Sequence, residues 1–259
     1  MKFLRRYKEF LTEFGLLETL KRIVSKPIRI IKKSKANKNF IKKKEKLFKI
    51  NSLQERFEYI YKTNFWPSSE SLSGPGSELK NTENIRNEIK KIIKEYNIKT
   101  LLDVPCGDFN WMKLIIDNNI SYTGGDIVRN LVTKNIKDFK KDNINFIHLD
   151  LIKDELPNAH LLLCRDCLIH FSIANILKLI DNLKKSKIDY LLLTSYEYQD
   201  KTEEQNIDIK DGDFRPIFLR QHPFNLPDPI MKILDKEQEH KNNSNLSCYL
   251  YLYSKKQLI

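Results

Sequence analysis

Residues 100–111 read Thr-Leu-Leu-Asp-Val-Pro-Cys-Gly-Asp-Phe-Asn-Trp, a short apolar run that leads into an acidic loop with one glycine. The run over 100–104 has the length and composition of a buried strand, and Gly107 permits a tight turn after it. Further short apolar runs, separated by helical patterns, follow at 122–125, 143–149, 160–164 and 190–194. This alternation predicts an α/β fold with a doubly wound, mostly parallel sheet of Rossmann-like type.

Two segments on either side of these runs extend the predicted domain. Residues 247–253 alternate aromatic and aliphatic side chains, which predicts an antiparallel C-terminal strand at the edge of the sheet. Thr82 precedes isoleucines at positions 85, 89, 92 and 93, a spacing that predicts an amphipathic helix. Residues 67–77, which include Gly74 and Gly76, are interpreted either as ordinary turns or as a cover loop over a bound ligand.

The positive charge of the chain is concentrated at its N-terminal end. The chain has 46 Lys and Arg and 34 Asp and Glu, and residues 1–50 hold 17 and 4 of them, which leaves 29 and 30 in the other 209 residues. The net charge of +12 therefore does not describe the domain with the sheet. A nearly neutral domain weakens the case for a basic cleft that follows a nucleic-acid backbone.

This distribution divides the predicted chain into a basic helical arm over 1–50 and a catalytic domain over 51–259. Within that domain, 51–99 is expected to hold helices and the cover loop, and 100–259 the Rossmann-like core. The arm has apolar residues at helical spacing over 3–20. One interpretation is a solvated or self-packing extension, and the other is attachment to an anionic membrane surface or a biosynthetic enzyme.

The remaining composition predicts a cytoplasmic protein, or one held peripherally at the inner face of the membrane. Four cysteines in 259 residues do not form a disulfide framework. Cys164 and Cys167 have the spacing of half a zinc site, but no second pair with ligand spacing follows, so no metal is predicted. No run reaches the ~18 apolar residues of a membrane span, and no signal peptide is evident.

Aspartates follow three successive predicted strands. Asp103 ends the first, Asp126 the second and Asp150 the third. Ligands of doubly wound sheets bind beyond the carboxyl ends of the strands, and an acid about 20 residues after a glycine loop suits two ribose hydroxyls. Asp126 lies 19 residues after Gly107. Taken singly, each aspartate is also explained as a helix cap or loop acid.

The glycine loop does not fit the common phosphate-binding patterns. The patterns G-x-G-x-x-G and G-x-x-x-x-G-K-[ST] are both absent, and Pro105 and Phe109 stand where a pyrophosphate loop needs glycine. A ligand without pyrophosphate and with a positive charge, such as S-adenosylmethionine, suits this acidic loop better.

Residues 103–111, Asp-Val-Pro-Cys-Gly-Asp-Phe-Asn-Trp, resemble the first motif of class I S-adenosylmethionine-dependent methyltransferases. More closely, they resemble a bacterial subgroup with D-x-P-C-G-D-F-N-W at this place. Further segments typical of that subgroup are 65–66 (Phe-Trp), 73–77 (Ser-Gly-Pro-Gly-Ser), 164–170 (Cys-Arg-Asp-Cys-Leu-Ile-His) and 212–216 (Gly-Asp-Phe-Arg-Pro). The resemblance covers about residues 55–255, and Pro105 replaces the usual first glycine of the motif.

The resemblance implies S-adenosylmethionine as the cofactor and S-adenosylhomocysteine as its product. It implies the methionine part of the cofactor near Asp103 and Gly107, the ribose near Asp126 and the adenine near Asp150. The full set of residues expected to contact the cofactor is Asp103, Pro105, Gly107, Asp108, Trp111, Asp126, Ile127, Asp150, Leu151 and Arg165.

The exit of the fourth strand is expected to face the acceptor of the methyl group. A hydroxyl acceptor must lose a proton, and His170, with an ordinary pKa near ~6.5, is the preferred general base. Asp166 is expected to orient His170 or to act as the base itself, and His222 is the reserve base. A structural role is the alternative for each. The residues expected to contact the acceptor are Trp66, Arg165, Tyr196, Arg215 and His222.

The resemblance associates the chain with surface-polysaccharide biosynthesis, which implies O-methylation of a sugar or related small molecule. The alternative enzyme is an RNA methyltransferase whose basic arm contacts phosphates. The alternative outside catalysis is a docking module that binds a membrane or a partner enzyme through residues 1–50. Nucleic acid is the less favoured partner because the positive charge lies in the arm.

Overall fold

The computed structural model describes residues 37–198, 205–239 and 245–258. The chain divides into two units, Met1–Lys49 and Ile50–Ile259. In the first unit, residues 37–47 form helix α1. The helical pattern predicted over 3–20 lies outside the described residues, so the two interpretations of the arm stay predictions.

The second unit is built from helices and strands that alternate along much of the chain. Its described α-helices are α2 (Leu53–Lys62), α3 (Glu83–Glu95), α4 (Arg129–Phe139) and α5 (Ile173–Lys185). Its described strands are β1 (Thr100–Asp103), β2 (Ser121–Asp126), β3 (Ile144–His148), β4 (Ala159–Cys164), β5 (Ile188–Tyr198), β6 (Met231–Glu239) and β7 (Asn245–Ser254). Among the helices in the described ranges, none is long and apolar enough to cross a membrane.

The strands of the described residues form one sheet in the order β3-β2-β1-β4-β5-β7-β6. Strands β1 to β5 are parallel, and β7 runs antiparallel to both β5 and β6. This confirms the predicted mostly parallel sheet with an antiparallel C-terminal strand. The prediction that this strand lies at the edge was wrong, because β6 pairs with its outer side. The sequence analysis did not predict β6, because its sequence, Met-Lys-Ile-Leu-Asp-Lys-Glu-Gln-Glu, is mostly charged and polar.

Both faces of the central strands are covered, which explains their nearly continuous apolar sequences. Neighbouring side chains of a strand point to opposite faces, so Leu101 joins the apolar cluster around α3 and Leu102 joins the cluster around α5. Helix α3 buries Ile85, Ile89 and Ile92 at helical spacing, as predicted. Helix α5 covers the other face with Ile176, Leu179, Ile180 and Leu183.

The connection after the glycine loop differs from the sequence prediction. The helical spacing of apolar residues over 111–116 predicts a helix, but only a 3₁₀ turn over Met112–Leu114 forms. Met112 and Ile115 are buried in the cluster around α3. The helical spacing of these apolar residues therefore reflects packing against α3 rather than a full helix.

Arg215 lies in the loop between β5 and β6, where its hydrogen bonds are structural, and its predicted contact with an acceptor stays a prediction. Its buried guanidinium donates to the carbonyl oxygens of Leu168 at 2.8 Å, Phe171 at 2.8 Å and Ile207 at 3.2 Å. Its own amide donates to the carbonyl of Ile169 at 3.1 Å. Arg215 thus joins the loop to the turn that follows β4, and each of its three guanidinium nitrogens donates to a backbone carbonyl.

We expect Arg215→Met to lower the free energy of unfolding by about 3 kcal/mol, because it leaves buried carbonyl groups without donors. Urea denaturation monitored by circular dichroism measures this change. The control is Arg220→Met, since Arg220 forms partly exposed ion pairs and its loss should cost about 1 kcal/mol or less. Equal stabilities of the two variants would contradict a structural role for Arg215.

Candidate active site

A cavity lies beyond the carboxyl ends of β1, β2 and β4, at the position where doubly wound sheets bind ligands. It contains about 930 Å³ of space, part of it open to solvent. The lining comes from the loops after β1, β2 and β4, from α2 and from residues 66–77. The lining residues with polar or aromatic side chains include Phe57, Tyr61, Trp66, Asp103, Asp108, Trp111, Asp126, Arg165, Asp166, His170 and Phe171.

The peptide of Gly107 is part of the cavity wall and is bonded at both ends. Its N–H donates to Asp126 Oδ2 at 3.2 Å, and its carbonyl accepts from Asn135 Nδ2 at 2.7 Å. Its φ of +55° is in the left-handed region, and a Cβ here would lie 2.1 Å from Ser73 Oγ. Only glycine meets both requirements, so the backbone and the neighbouring Ser73 side chain require glycine at position 107.

Asp126 is buried at the end of β2 and holds two loops together. Its Oδ2 accepts from Gly107, and its Oδ1 accepts from the N–H of Val128 at 2.9 Å. Burial raises the pKa of Asp126 to about 6, although the two amide hydrogen bonds favour the carboxylate and act in the opposite direction. The group is therefore ionised at neutral pH and lines the cavity as a hydrogen-bond acceptor.

Asp103 is buried at the end of β1 and lines the same cavity. The hydroxyl of Tyr122 donates to its Oδ2 at 2.8 Å. Burial, together with the charge of Asp126, raises the pKa of Asp103 to about 7 against the opposing effect of this hydrogen bond. Asp103 consequently gains its charge close to neutral pH.

The cover segment, residues 66–77, is anchored to the loop after β1. The carboxylate of Asp108 accepts from the N–H of Leu72 at 2.7 Å, and from the hydroxyls of Ser71 at 3.0 Å and Ser73 at 3.4 Å. The guanidinium of Arg165 donates to the carbonyl of Gly76 at 3.0 Å. The cover segment is thus tied to residues on two sides of the cavity.

His170 ends the 3₁₀ turn Leu168–His170 and lines the cavity. Its Nδ1 is 2.7 Å from the carbonyl oxygen of Asp213, so Nδ1 carries the proton and Nε2 has the free electron pair. Nε2 forms no hydrogen bond within the described ranges. The ring stacks on Trp66 with centroids 4.3 Å apart. Burial lowers the pKa of His170, which keeps the ring neutral at pH 7.

The sequence suggested that Asp166 orients His170, but Asp166 forms no hydrogen bond with His170. Its Oδ2 instead lies 2.6 Å from Lys236 Nζ and 3.5 Å from Arg165 Nη1. Burial acts to raise the pKa of Asp166, but the charges of Arg165 and Lys236 outweigh burial and lower it. A carboxylate with a lowered pKa is a weak base, so the geometry favours His170 over Asp166 for proton removal.

The structure brings most of the predicted cofactor residues together. Of the ten residues predicted to contact the cofactor, eight line the cavity: Asp103, Pro105, Gly107, Asp108, Trp111, Asp126, Ile127 and Arg165. Asp150 and Leu151 are not among the lining residues, and the Asp150 carboxylate accepts from the N–H of Ile152 at 3.0 Å. Contact of Asp150 with adenine stays a prediction.

Two predicted acceptor contacts lie away from the cavity. Tyr196 is buried within β5, and His222 is exposed on the loop before β6. Neither lines the cavity, so neither is placed to touch an acceptor there. Contact of either residue with an acceptor stays a prediction.

Several residues of the site were missed at the level of sequence. Asn135 lies on a helix and bonds Gly107, while Asp235 and Lys236 come from the unpredicted β6. Asp166, Asp235 and Cys248 bring metal-ligand types within 4.8 Å, but Lys236 and Arg165 already pair with the two carboxylates. Among these three residues, the sequence pattern could have indicated only Asn135, because an asparagine on the buried face of an amphipathic helix needs a polar partner.

We expect Asp103→Asn to change stability in a pH-dependent way. Between its unfolded value near 3.8 and about 7, the native state keeps the Asp103 proton that the unfolded chain has lost. Wild-type stability due to this group therefore falls as pH rises, and an asparagine avoids this loss. The unfolding free energy of Asp103→Asn relative to wild type should increase by about 2 kcal/mol from pH 5 to pH 8.

Urea denaturation of both proteins without ligand, at each pH, measures the change. Asp126 titrates in both proteins, so the difference between them reports mainly on Asp103. If the unfolding free energies of the variant and the wild type differ by the same amount at pH 5 and pH 8, Asp103 is ionised throughout and burial does not raise its pKa.

Comparison with known proteins identifies the fold. No protein-family model and no curated protein matches the chain. Burkholderia thailandensis 1,6-didemethyltoxoflavin-N1-methyltransferase, with 1,6-didemethyltoxoflavin and S-adenosylhomocysteine bound, matches at 12% identity and TM-score 0.52, over 78% of this chain and 86% of that one.

Two further solved structures match over similar lengths. The methyltransferase domain of bacterial CtHen1 is 11% identical, with TM-score 0.49, over 68% of this chain and 100% of that one. The N-terminal domain of EvdMO1, in the presence of S-adenosylhomocysteine and D-fucose, is 8% identical, with TM-score 0.47, over 66% and 83%. At the identity of the toxoflavin enzyme the likeness concerns the fold alone, and this chain has the Rossmann-like methyltransferase fold.

Proposed function

We propose that the chain is an S-adenosylmethionine-dependent methyltransferase. The observation that carries the proposal is the acidic cavity at the carboxyl ends of β1 and β2, where Asp126 and the Gly107 peptide meet. A fold by itself does not define a function, so the proposal rests on the residues that line this cavity.

The chemistry of the lining residues fits this cofactor. S-adenosylmethionine has a sulfonium and an ammonium group, and the described lining residues include four carboxylates against one guanidinium: Asp103, Asp108, Asp126, Asp166 and Arg165. Asp126 keeps lone pairs beyond its two amide bonds, which suits the two hydroxyls of a ribose. Pro105 in the loop excludes one backbone N–H that a pyrophosphate site would use.

The cofactor supplies a methyl group on a positively charged sulfur, and the chain's residues align the acceptor and remove its proton. His170 is neutral, and its Nε2 is free to accept a proton from a hydroxyl acceptor. The resulting imidazolium has the carboxylate of Asp166 nearby, whose charge favours the protonated ring. Trp66 holds the ring by stacking, so the base is oriented before the acceptor binds.

For the acceptor, we propose a sugar or related small molecule, O-methylated during surface-polysaccharide biosynthesis. The support is the resemblance of the motifs to the bacterial subgroup and the charge of the lining. Arg165 is the cation among the described lining residues, and Asp235 already pairs with it. An RNA acceptor needs phosphate contacts, and the described cavity residues supply little positive charge for them.

We expect calorimetry to detect binding of S-adenosylmethionine and S-adenosylhomocysteine to the wild-type protein at pH 7.5. Asp126→Asn should weaken both by about tenfold or more, because it removes a charged acceptor from the cavity. Asp138→Asn, on the exposed face of α4, is the matched control and should bind as the wild type does. Absence of binding to the wild type would overturn the proposed function and favour a docking module.

We expect His170→Ala to lower kcat by about 100-fold or more, because it removes the general base. The acceptor for this assay comes from a turnover screen of sugar nucleotides, capsule fragments and tRNA with labelled cofactor. In the wild type, kcat/KM should rise with pH through an apparent pKa below 6.5, since only the neutral ring takes a proton.

The control for this variant is His222→Ala, because His222 is exposed and lies outside the cavity. Its turnover should stay within about twofold of the wild type. Near-normal turnover of His170→Ala would remove His170 as the base and leave cofactor binding as a separate question.

A further inference from the structure

The loop between β5 and β6 caps the helix that begins just after His170. Helix α5 starts at Ile173, and the first amide groups of a helix have no partner within it. The carboxylate of Asp208 accepts from the N–H of Ile173 at 2.8 Å, and that of Asp211 accepts from the N–H of Ser172 at 2.7 Å. The partial positive charge of the helix end favours carboxylates at this place. Both aspartates thereby hold the loop beside the turn that carries His170.

The same loop holds His170 by two reciprocal hydrogen bonds. The N–H of Gly212 donates to the carbonyl of His170 at 2.7 Å, and the ring Nδ1 of His170 donates to the carbonyl of Asp213 at 2.7 Å. Gly212 has a φ of +88°, a left-handed conformation that glycine adopts without strain. The tautomer of His170 therefore depends on the direction of one backbone carbonyl and not on a carboxylate.

Arg56, on helix α2, is the cation that holds Asp211. Its Nη1 donates to the Asp211 carbonyl at 2.9 Å and lies 3.9 Å from the Asp211 carboxylate. Its Nε donates to the carbonyl of Ile50 at 3.2 Å, which restrains the guanidinium further. The Asp211 carboxylate also accepts from Asn175 Nδ2 at 2.9 Å. The side chains of Arg56 and Asp211 are 11% and 17% exposed, so a largely buried ion pair joins α2, α5 and the loop.

This ion pair lies outside the candidate active site. Neither Arg56 nor Asp211 is among the described residues that line the cavity, and both line a second cavity together with Asn175. The shortest path from the pair to the ring of His170 is the backbone of residues 211–213, which ends at the carbonyl that Nδ1 contacts. An effect of the pair on the reaction is therefore an effect on the position of His170.

We propose that Arg56 and Asp211 are positioning residues for His170. They hold the turn over residues 211–213 so that the Asp213 carbonyl keeps the proton on Nδ1 and leaves Nε2 as the nitrogen that accepts a proton. The inference deepens the proposed function and rests on it for the role of His170 as the base. The hydrogen bond at one ring nitrogen decides which nitrogen is protonated, so loss of this carbonyl lets Nε2 carry the proton in part of the molecules. A neutral ring with its proton on Nε2 cannot accept another proton there.

The test follows the tautomer of His170 by ¹⁵N NMR of protein labelled at its histidines, without ligand. The His170 signals are those that are missing from the spectrum of His170→Ala. A single neutral tautomer gives two widely separated ring-nitrogen shifts, and exchange between tautomers brings the two shifts together. We expect separated shifts in the wild type above the pKa of the ring. Arg56→Met should raise the ratio of the Nε2–H to the Nδ1–H tautomer about tenfold, as expected for the loss of one hydrogen bond.

The matched control is Arg86→Met. Arg86, on α3, is also half-buried, and it donates to the backbone carbonyls of Leu79 at 3.0 Å and Thr82 at 3.3 Å. Its loss removes the same kind of contact away from the loop between β5 and β6, so the His170 shifts should stay as in the wild type. Arg56→Lys keeps the cation and a donor, and it should restore most of the separation between the two shifts.

Asp211→Asn is a second variant, for the case that Arg56→Met does not fold. The asparagine keeps the size of the side chain and one acceptor oxygen where the Asp211 carboxylate uses two. It should change the tautomer ratio in the same direction by a smaller factor. Unchanged His170 shifts in either folded variant, or an equal change in Arg86→Met, would overturn the positioning role. A wild type that does not bind S-adenosylmethionine would overturn the proposed function instead, since the tautomer is measured without ligand.

Discussion

The hydrogen bond from the Gly107 amide to the buried carboxylate of Asp126 joins the ends of two neighbouring parallel strands. Its other oxygen holds the amide of Val128, so one side chain organises the loops after β1 and β2. Asn135 holds the carbonyl of the same glycine from α4. Together these two bonds fix the Gly107 peptide in the wall of the cavity. This arrangement requires the burial of the Asp126 carboxylate, and burial raises the pKa of Asp126.

A second set of charges joins the far end of the cavity to its cover. Asp108 bonds the cover segment from the loop after β1, and Arg165 bonds it from the end of β4. Asp235 and Lys236 hold Arg165 and Asp166 from the bulge in β6. The unusual antiparallel end of the sheet therefore contributes to the site as well as to the core. Both ends of the cavity are built by buried carboxylates that bond across different elements.

Sequence patterns predicted the parallel sheet and the place of Asp103, Gly107 and Asp126, because strand ends and glycine turns are local features. The patterns did not show which of the two motif arginines, Arg165 or Arg215, lines the cavity. Arg165 lines the cavity, whereas Arg215 donates hydrogen bonds to backbone carbonyls. Both arginines stand next to an aromatic or acidic neighbour in similar-looking motifs, so composition could not distinguish them. The strand β6 was missed because its pairing, and not its own sequence, makes it a strand.

The sequence by itself determined the alternation of strands and helices, the order of the acidic strand ends and the concentration of positive charge before residue 50. These properties depend on neighbours along the chain. The tertiary structure alone decided that His170 keeps a free Nε2, that Lys236 rather than His170 pairs with Asp166, and that Asp235 holds Arg165. Asp235 and Arg165 are 70 residues apart in the chain. Their contact depends on sheet pairing and a bulge, which bring distant charges together out of water.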